Sequence, residues 1–177
     1  MRTLELRWFL DVELGEDELR AFADRGEIEI RTDQYQLGVG NDLGIKRRGA
    51  AGRLEHKHRL ARTPVVVGGE PGLLGVVEEW EKRWPAPSPT GDPDTSWVAV
   101  AKRRAVRDLG RFRAELTDLR CHGGRAQQSL AIETSQAVTA AALVDAAETF
   151  FVQDGALARR FAAARSCGYP EWLRTKT

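Results

Sequence analysis

The sequence predicts an α+β fold dominated by antiparallel strands, and three observations carry that reading. Strand-length segments alternate apolar and charged residues with period two, which puts the two kinds on opposite faces. Lysines and arginines recur two residues apart, as Lys46/Arg48, Lys57/Arg59 and Lys102/Arg104, so each pair keeps to one face. Other segments carry apolar residues at helical spacing and need a sheet face to cover.

The clearest segment is residues 43–59, LGIKRRGAAGRLEHKHR, which reads as a hairpin turning at residues 50–52. One face carries Lys46, Arg48, Glu55, Lys57 and Arg59. The other carries Leu54, His56 and His58. Upstream, residues 3–10 form a strand with Leu4, Leu6 and Trp8 opposed to Thr3, Glu5, Arg7 and Phe9. Residues 16–25 form a short helix on Leu19, Phe22 and Ala23, ended by Gly26. Residues 27–36 form a second strand, with Ile28 and Ile30 opposed to Glu27, Glu29, Arg31, Asp33 and Tyr35. Residues 38–42, GVGND, make a turn.

Residues 63–67 read as a further short strand, at an edge because Pro64 cannot donate to a ladder. After a loop at residues 68–72, residues 73–84 read as an amphipathic helix, since Leu73, Val77, Trp80 and Trp84 recur four, three and four apart. The run PAPSPTGDPD then makes an exposed linker. Residues 96–107 form a strand showing Lys102 and Arg104 on one face. Residues 111–120 follow with Arg113, Glu115 and Thr117 together. Gly123-Gly124 signals a hairpin, and residues 127–135 return with Leu130 and Ile132 opposed to Ser129, Ala131 and Glu133. Residues 136–152 make a helix on Ala140, Leu143, Val144, Ala147, Phe150 and Phe151. A second helix spans 156–165, and the tail docks by Tyr169 and Trp172.

The charged strand faces gather Arg7, Arg31, Lys46, Arg48, Lys57, Arg59, Lys102, Arg104 and Arg113, accompanied by Glu5, Glu27, Glu29, Asp33, Glu55, Glu115 and Glu133. Such a face is no dry core. Each buried ion costs several kcal/mol after relaxation, and a whole domain is stable by only ~5–15 kcal/mol. Two geometries wet it. One is an open sheet with a solvated face; the other is a barrel closed around a charged lumen, for which seven or eight strands suffice. Both charge signs in one lumen suit a polyanion bound with a divalent metal: paired Lys and Arg neutralise phosphate oxygens, and carboxylates hold Mg²⁺ or Mn²⁺.

At these residues the chain resembles the CYTH domain of the triphosphate tunnel metalloenzymes. The family's opening ExExK strand is met by Thr3, Glu5 and Arg7, and its DxY by Asp33 and Tyr35. The basic RxR strand is met by Gly44 and Lys46, with Arg48 next in line. The fourth-strand lysine is Lys57, and the KxR strand is Lys102 and Arg104. The sixth-strand acid falls at Thr117, with Glu115 beside it on the same face, and the final ExE falls at Ala131 and Glu133.

The resemblance implies an antiparallel eight-stranded β-barrel with helices packed outside, in a single domain over 1–177 with its core at about 3–151 and a helical tail at 152–177. It implies that Arg7, Arg31, Lys46, Arg48, Lys57, Arg59, Lys102, Arg104 and Arg113 bind phosphate. Glu5, Glu115 and Glu133 would hold Mg²⁺ or Mn²⁺. The ligand is then a triphosphate or polyphosphate, with an RNA end as a second partner. With Thr3, Thr117 and Ala131 at acidic positions, two outcomes stand open: phosphoanhydride hydrolysis, or binding by a module that has lost part of its metal site.

Other signals are weaker. His56 and His58 share a face, but no third zinc ligand stands at useful spacing. The glycines at 38, 40 and 44 miss the phosphate-loop spacing and enter a strand rather than a helix. Cys121 and His122 are strand neighbours and point apart. With 27 basic and 26 acidic residues, nucleic-acid binding cannot rest on overall charge. Cys121 and Cys167 form no disulfide framework, and with no signal peptide or membrane span the expectation is a cytoplasmic protein.

Overall fold

A computed structural model describes residues 1–24, 26–37, 40–49, 52–68, 72–84, 96–121 and 124–175, the Arg53 side chain excepted. Eight strands close an antiparallel barrel in the order β5-β4-β3-β2-β6-β7-β8-β1. They are β1 (Arg2–Leu10), β2 (Glu29–Gln36), β3 (Leu43–Arg48), β4 (Arg53–Val67), β5 (Leu73–Arg83), β6 (Trp97–Leu109), β7 (Phe112–Cys121) and β8 (Gln127–Thr134). The seam is β1 against β5, with Leu4 opposite Glu79 and Leu6 opposite Val77. A two-residue strand, β9 (Arg165–Ser166), pairs with the end of β1. The wet-lumen alternative is therefore the one the chain adopts.

The closing strand corrects the sequence reading. Residues 73–84 form no helix; they are β5. Leu73, Gly75 and Val77 face outward, where a Cβ on Gly75 would already meet Leu6, Trp8 and Val65. Glu78, Trp80 and Lys82 face inward and are buried. The 4-3-4 spacing joined residues from two faces of one strand. Residues 63–67 are no separate strand but the end of β4. A register shift between Arg59 and Ala61 interrupts β4 pairing with β5. Beyond His58, β4 has lost β3 as a partner, so Pro64 sits where no ladder bond is needed from it.

The helices are α1 (Glu16–Phe22), α2 (Ala140–Gln153), α3 (Gly155–Phe161) and α4 (Tyr169–Arg174). The helices are offset from the expected spans of 16–25, 136–152 and 156–165. α1 ends at Phe22 with Ala23 as its cap, well before Gly26, whose φ of 66° serves the following turn. α2 starts at Ala140 because Thr139 caps it, accepting from the Ala142 amide at 3.2 Å. Arg165 belongs to β9 rather than to α3. The Pro-rich linker, Gly38, Val39, the tip of the 50–52 turn, His122 and Gly123 lie outside the described residues. None of the helices among the described residues is long and apolar enough to cross a membrane.

The main core lies between barrel and helices. Leu143, Ala147, Phe150 and Phe151 of α2 pack with Leu6, Trp8, Leu116, Leu130 and Ile132 of the outer strand faces. Trp8 meets Phe151 edge-on at 5.5 Å and donates Nε1–H to the Leu74 carbonyl at 2.8 Å. Burying each such side chain contributes roughly 1.5–3 kcal/mol, which lets the charged residues take the inside.

A second apolar cluster lies inside one end of the barrel. Phe9, Tyr35, Val100 and Leu119 receive Cys167, Trp172 and Leu173, with Tyr169 beside them. Here α4 docks, as the tail aromatics suggest. Its N-cap, Gly168, is pressed against β5: an added Cβ would lie 2.9 Å from Trp80 Cζ2 and collide with the Glu78 carboxylate. That carboxylate is fixed by Arg59 at 2.6 Å and by Trp80 Nε1–H at 3.1 Å. Gly168→Ala is accordingly expected to cost about 1–3 kcal/mol by overpacking, read as a lower thermal midpoint; an unchanged midpoint would mean that α4 is not seated this tightly.

Candidate functional site

Alternation along eight strands projects the charged residues into one lumen. The open mouth lies where Thr3, Lys82, Arg113 and Glu133 line a cavity of about 400 Å³. Glu29 and Arg104 line a second cavity, of about 570 Å³, beside it. Deeper in, the lumen narrows to about 30 Å³ between Glu5, Lys46, Glu55, Lys57, Tyr35, Trp80, Tyr169 and Pro170.

Arg7 is the hub. Its side chain is only 5% exposed. Nε donates to Glu5 at 2.7 Å and Nη1 to Ser129 at 3.2 Å. Nη2 lies 4.0 Å from Glu115 and 3.9 Å from Glu133. Its guanidinium carbon sits 4.8 Å from the centre of the Tyr169 ring. β1, β7 and β8 bring these groups together because Glu5 pairs with Glu133, and Arg7 with Ala131. Ala131, opposite Arg7, is small and buried.

The other cations are also held by lumenal acids. Lys57 reaches Glu5 at 3.3 Å, Lys46 reaches Glu55 at 3.1 Å and Arg48 reaches Glu55 at 3.4 Å. Lys102 lies 3.2 Å from Asp33 and donates to the Tyr35 hydroxyl at 2.6 Å. Arg104 pairs with Glu115 at 2.7 Å, Arg113 pairs with Glu133, and Arg31 pairs with Glu29 and Asp33. Of the nine expected phosphate ligands, Arg7, Lys46, Lys57, Lys102 and Arg104 converge most closely. Arg48 and Arg113 stand half exposed at the rim. Arg59 is drawn toward the other end by Glu78 and Asp42.

The crowding shows in the acid–base behaviour. Burial pushes the Lys46 ammonium down to about 7 against the pull of Glu55, and pushes Lys102 down to about 7 against that of Asp33. Glu115 is buried, yet Arg104, Arg7 and Arg113 draw its pKa down to about 2. Glu133 is raised, by burial first and then by its acidic neighbours Glu115 and Glu5. Glu5 is buried too, but Arg7 and Lys57 hold it well below the usual carboxylate value.

Glu5, Glu115 and Glu133, the expected metal ligands, all surround Arg7. They do not form a cation cage in this arrangement. Their oxygens turn to guanidinium and ammonium nitrogens, and among the described residues no three acidic, histidine or cysteine side chains are placed to hold a metal ion. His56 and His58 lie on the outer face of β4, away from this set. The donor set fits a cationic site neutralised by its own acids, not a preformed Mg²⁺ or Mn²⁺ site.

Three lumenal residues, Glu78, Trp80 and Lys82, do not show as lumenal when residues 73–84 are read as a helix. Gly75 and the β-branched pair Val76-Val77 are the signal for a strand there. Tyr169 was expected to dock, but not inside the lumen.

No family model matches the chain, and no curated protein matches it. Among solved structures it is similar to Pct1 RNA triphosphatase of S. pombe. One such structure has 13% identity and a TM-score of 0.50, over 89% of this chain and 84% of that one. Another, in complex with the Spt5 CTD, has 13% identity and a TM-score of 0.49, over 90% and 80%. The likeness is one of fold.

Proposed function

We propose that the lumen binds the phosphate chain of a triphosphate- or polyphosphate-containing ligand. One observation carries this: five cations from four strands, Arg7, Lys46, Lys57, Lys102 and Arg104, converge on one lumen, each held by a carboxylate that a polyanion can replace. Exchanging an internal carboxylate for a phosphate oxygen keeps the charge-assisted hydrogen bonds while adding ligand. Arg104 and Arg113 meet the ligand at the mouth, and Arg7, Lys57, Lys46 and Lys102 meet it inside. A triphosphorylated RNA end fits the same chemistry through its phosphates, with the nucleotide left outside.

A second reading, hydrolysis, is favoured by the split between Glu115 and Glu133. Two neighbouring carboxyls whose pKa values are pushed apart can serve as fixed anion and proton donor. Water would attack the terminal phosphorus as the bridging P–O bond breaks; Glu133 would give its proton to the leaving phosphate oxygen and be reprotonated by the proton the water releases. Mg²⁺ or Mn²⁺ is the expected cofactor of that activity, and to bind at Glu5, Glu115 and Glu133 it would have to displace the cations those acids now hold.

A thermal-shift titration with tripolyphosphate, with and without EDTA, tests the binding reading. The expected result is a saturable rise in the melting midpoint that survives EDTA. No rise in either condition would reject it. Phosphate release measured with Mg²⁺ or Mn²⁺ tests the second reading. Release no greater than that of the Glu5→Gln, Glu133→Gln double variant would leave a binding module.

A further inference from the structure

We infer that α4 makes the tunnel single-ended, with Tyr169 as the stop that sets how far a phosphate chain enters, so that the site selects ligands with a free terminal phosphate. This rests on the phosphate-binding reading and narrows its ligand class.

The barrel has two ends, and the described residues treat them differently. The end bearing Thr3, Lys82, Arg113 and Glu133 opens into the large cavities. The opposite end is filled from inside. Trp172 stacks on Phe9 at 5.0 Å and donates Nε1–H to Gln127 at 2.6 Å. Tyr169 stacks on Tyr35 at 5.5 Å. Pro170 lies so close that a Cβ on Gly44 would be 3.2 Å from its Cγ. Gly44 stands where the resembled family carries the first arginine of its RxR strand, and a long side chain there would meet this helix.

Tyr169 also touches the deepest cations. Lys102 Nζ lies 4.1 Å from the centre of its ring, and Arg7 lies over the same ring. The ring backs these two cations from the closed side, so they present their charge toward the mouth. Behind the ring, Trp172, Leu173, Phe9 and Tyr35 pack against one another and fill the end of the barrel. A phosphate reaching Arg7 and Lys102 therefore has no onward path and must be the last in its chain. A chain capped at both ends cannot place a phosphate there without threading through α4.

The test uses the full chain and two ligands of equal charge, a nucleoside triphosphate and a dinucleoside tetraphosphate. By calorimetry the capped ligand is expected to bind at least about tenfold more weakly. Long linear polyphosphate is expected to saturate at one protein per chain end whatever its length. Equal affinity for the capped ligand, or a protein load that grows with chain length, would overturn the inference while leaving phosphate binding intact. Failure of every phosphate ligand to bind would remove both. Tyr169→Ala is expected to narrow the preference to a few-fold and Tyr169→Phe to keep it. A preference unchanged in a normally melting Tyr169→Ala protein would overturn the role of Tyr169.

Discussion

Arg7→Met is expected to destabilise the protein by about 3–5 kcal/mol at neutral pH, the usual cost of removing one partner from a buried ionic cluster. Methionine keeps much of the volume, so the loss reports charge rather than a cavity. Without the guanidinium, Glu5, Glu115 and Glu133 face one another across the narrow part of the lumen with Arg7 gone from their midst. Lys57 remains beside Glu5, Arg104 beside Glu115, and Arg113 beside Glu115 and Glu133, but none of them pairs with all three acids.

The pH dependence identifies the cause. In the native protein Glu5 and Glu115 ionise at depressed pKa, Glu115 at about 2. Depressed carboxylates contribute stability that is present above their unfolded pKa of about 4.3 and lost as pH falls through the folded value. The variant has lost much of that depression. Its deficit is therefore full at pH 7 and shrinks as pH drops below about 4, where its carboxyls take up protons. Urea unfolding at pH 7 and at about pH 3, between the ordinary carboxyl value and the depressed native one, measures it. A deficit equal at both pH values would show that Arg7 acts by packing, and one below about 1 kcal/mol at pH 7 would place the hub elsewhere. The same variant loses the innermost phosphate ligand, so triphosphate should no longer raise its melting midpoint.

Much of this site was legible because strand alternation is a strict code. Once residues 43–59 are a hairpin, the facing of Lys46, Arg48, Glu55, Lys57 and Arg59 follows without tertiary information. Pairs such as Arg113 with Glu133, or Lys102 with Asp33, then need only the sheet order. β5 was harder for a physical reason. Its large apolar residues fall on both sides: Leu73 and Val77 serve the outer core, while Trp80 serves the lumen beside α4. Mixed facing erases the period of two, and the residue spacings then mimic a helix.

The closed end of the tunnel was not legible. Tyr169 is far from β1 and β2 in the chain, and nothing in YPEWLRT distinguishes an aromatic docked on an outer face from one inserted into a barrel. Its partners Phe9 and Tyr35 were visible as lumen-side aromatics in an otherwise charged set. They are the residues α4 covers. Likewise, the sequence counts Glu5, Glu115 and Glu133 as a depleted metal set. Only the fold shows that Arg7 stands among them.

Binding of triphosphate at pH 8 is expected to take up about two protons, one each at Lys46 and Lys102. In the unliganded protein both ammonium groups are lowered to about 7 because burial outweighs Glu55 and Asp33, so at pH 8 most of each is neutral. A phosphate chain laid against them adds negative charge at contact distance and restores the charged form. The linkage has two further signs. Free protein binds fewer protons at these lysines than the unfolded chain, so their contribution to stability rises with pH from about 7 to about 10.4. Affinity for the polyanion changes the other way, weakening above about pH 7 as the protons become scarcer. Calorimetric titrations at pH 8 in buffers of different ionisation enthalpy read the uptake directly, because the terminal phosphate is itself already ionised there. Lys46→Met and Lys102→Met should each remove about one proton from the total. A binding enthalpy independent of buffer would mean that the two lysines are charged before the ligand arrives, and that the lumen is wetter than its 30 Å³ waist indicates.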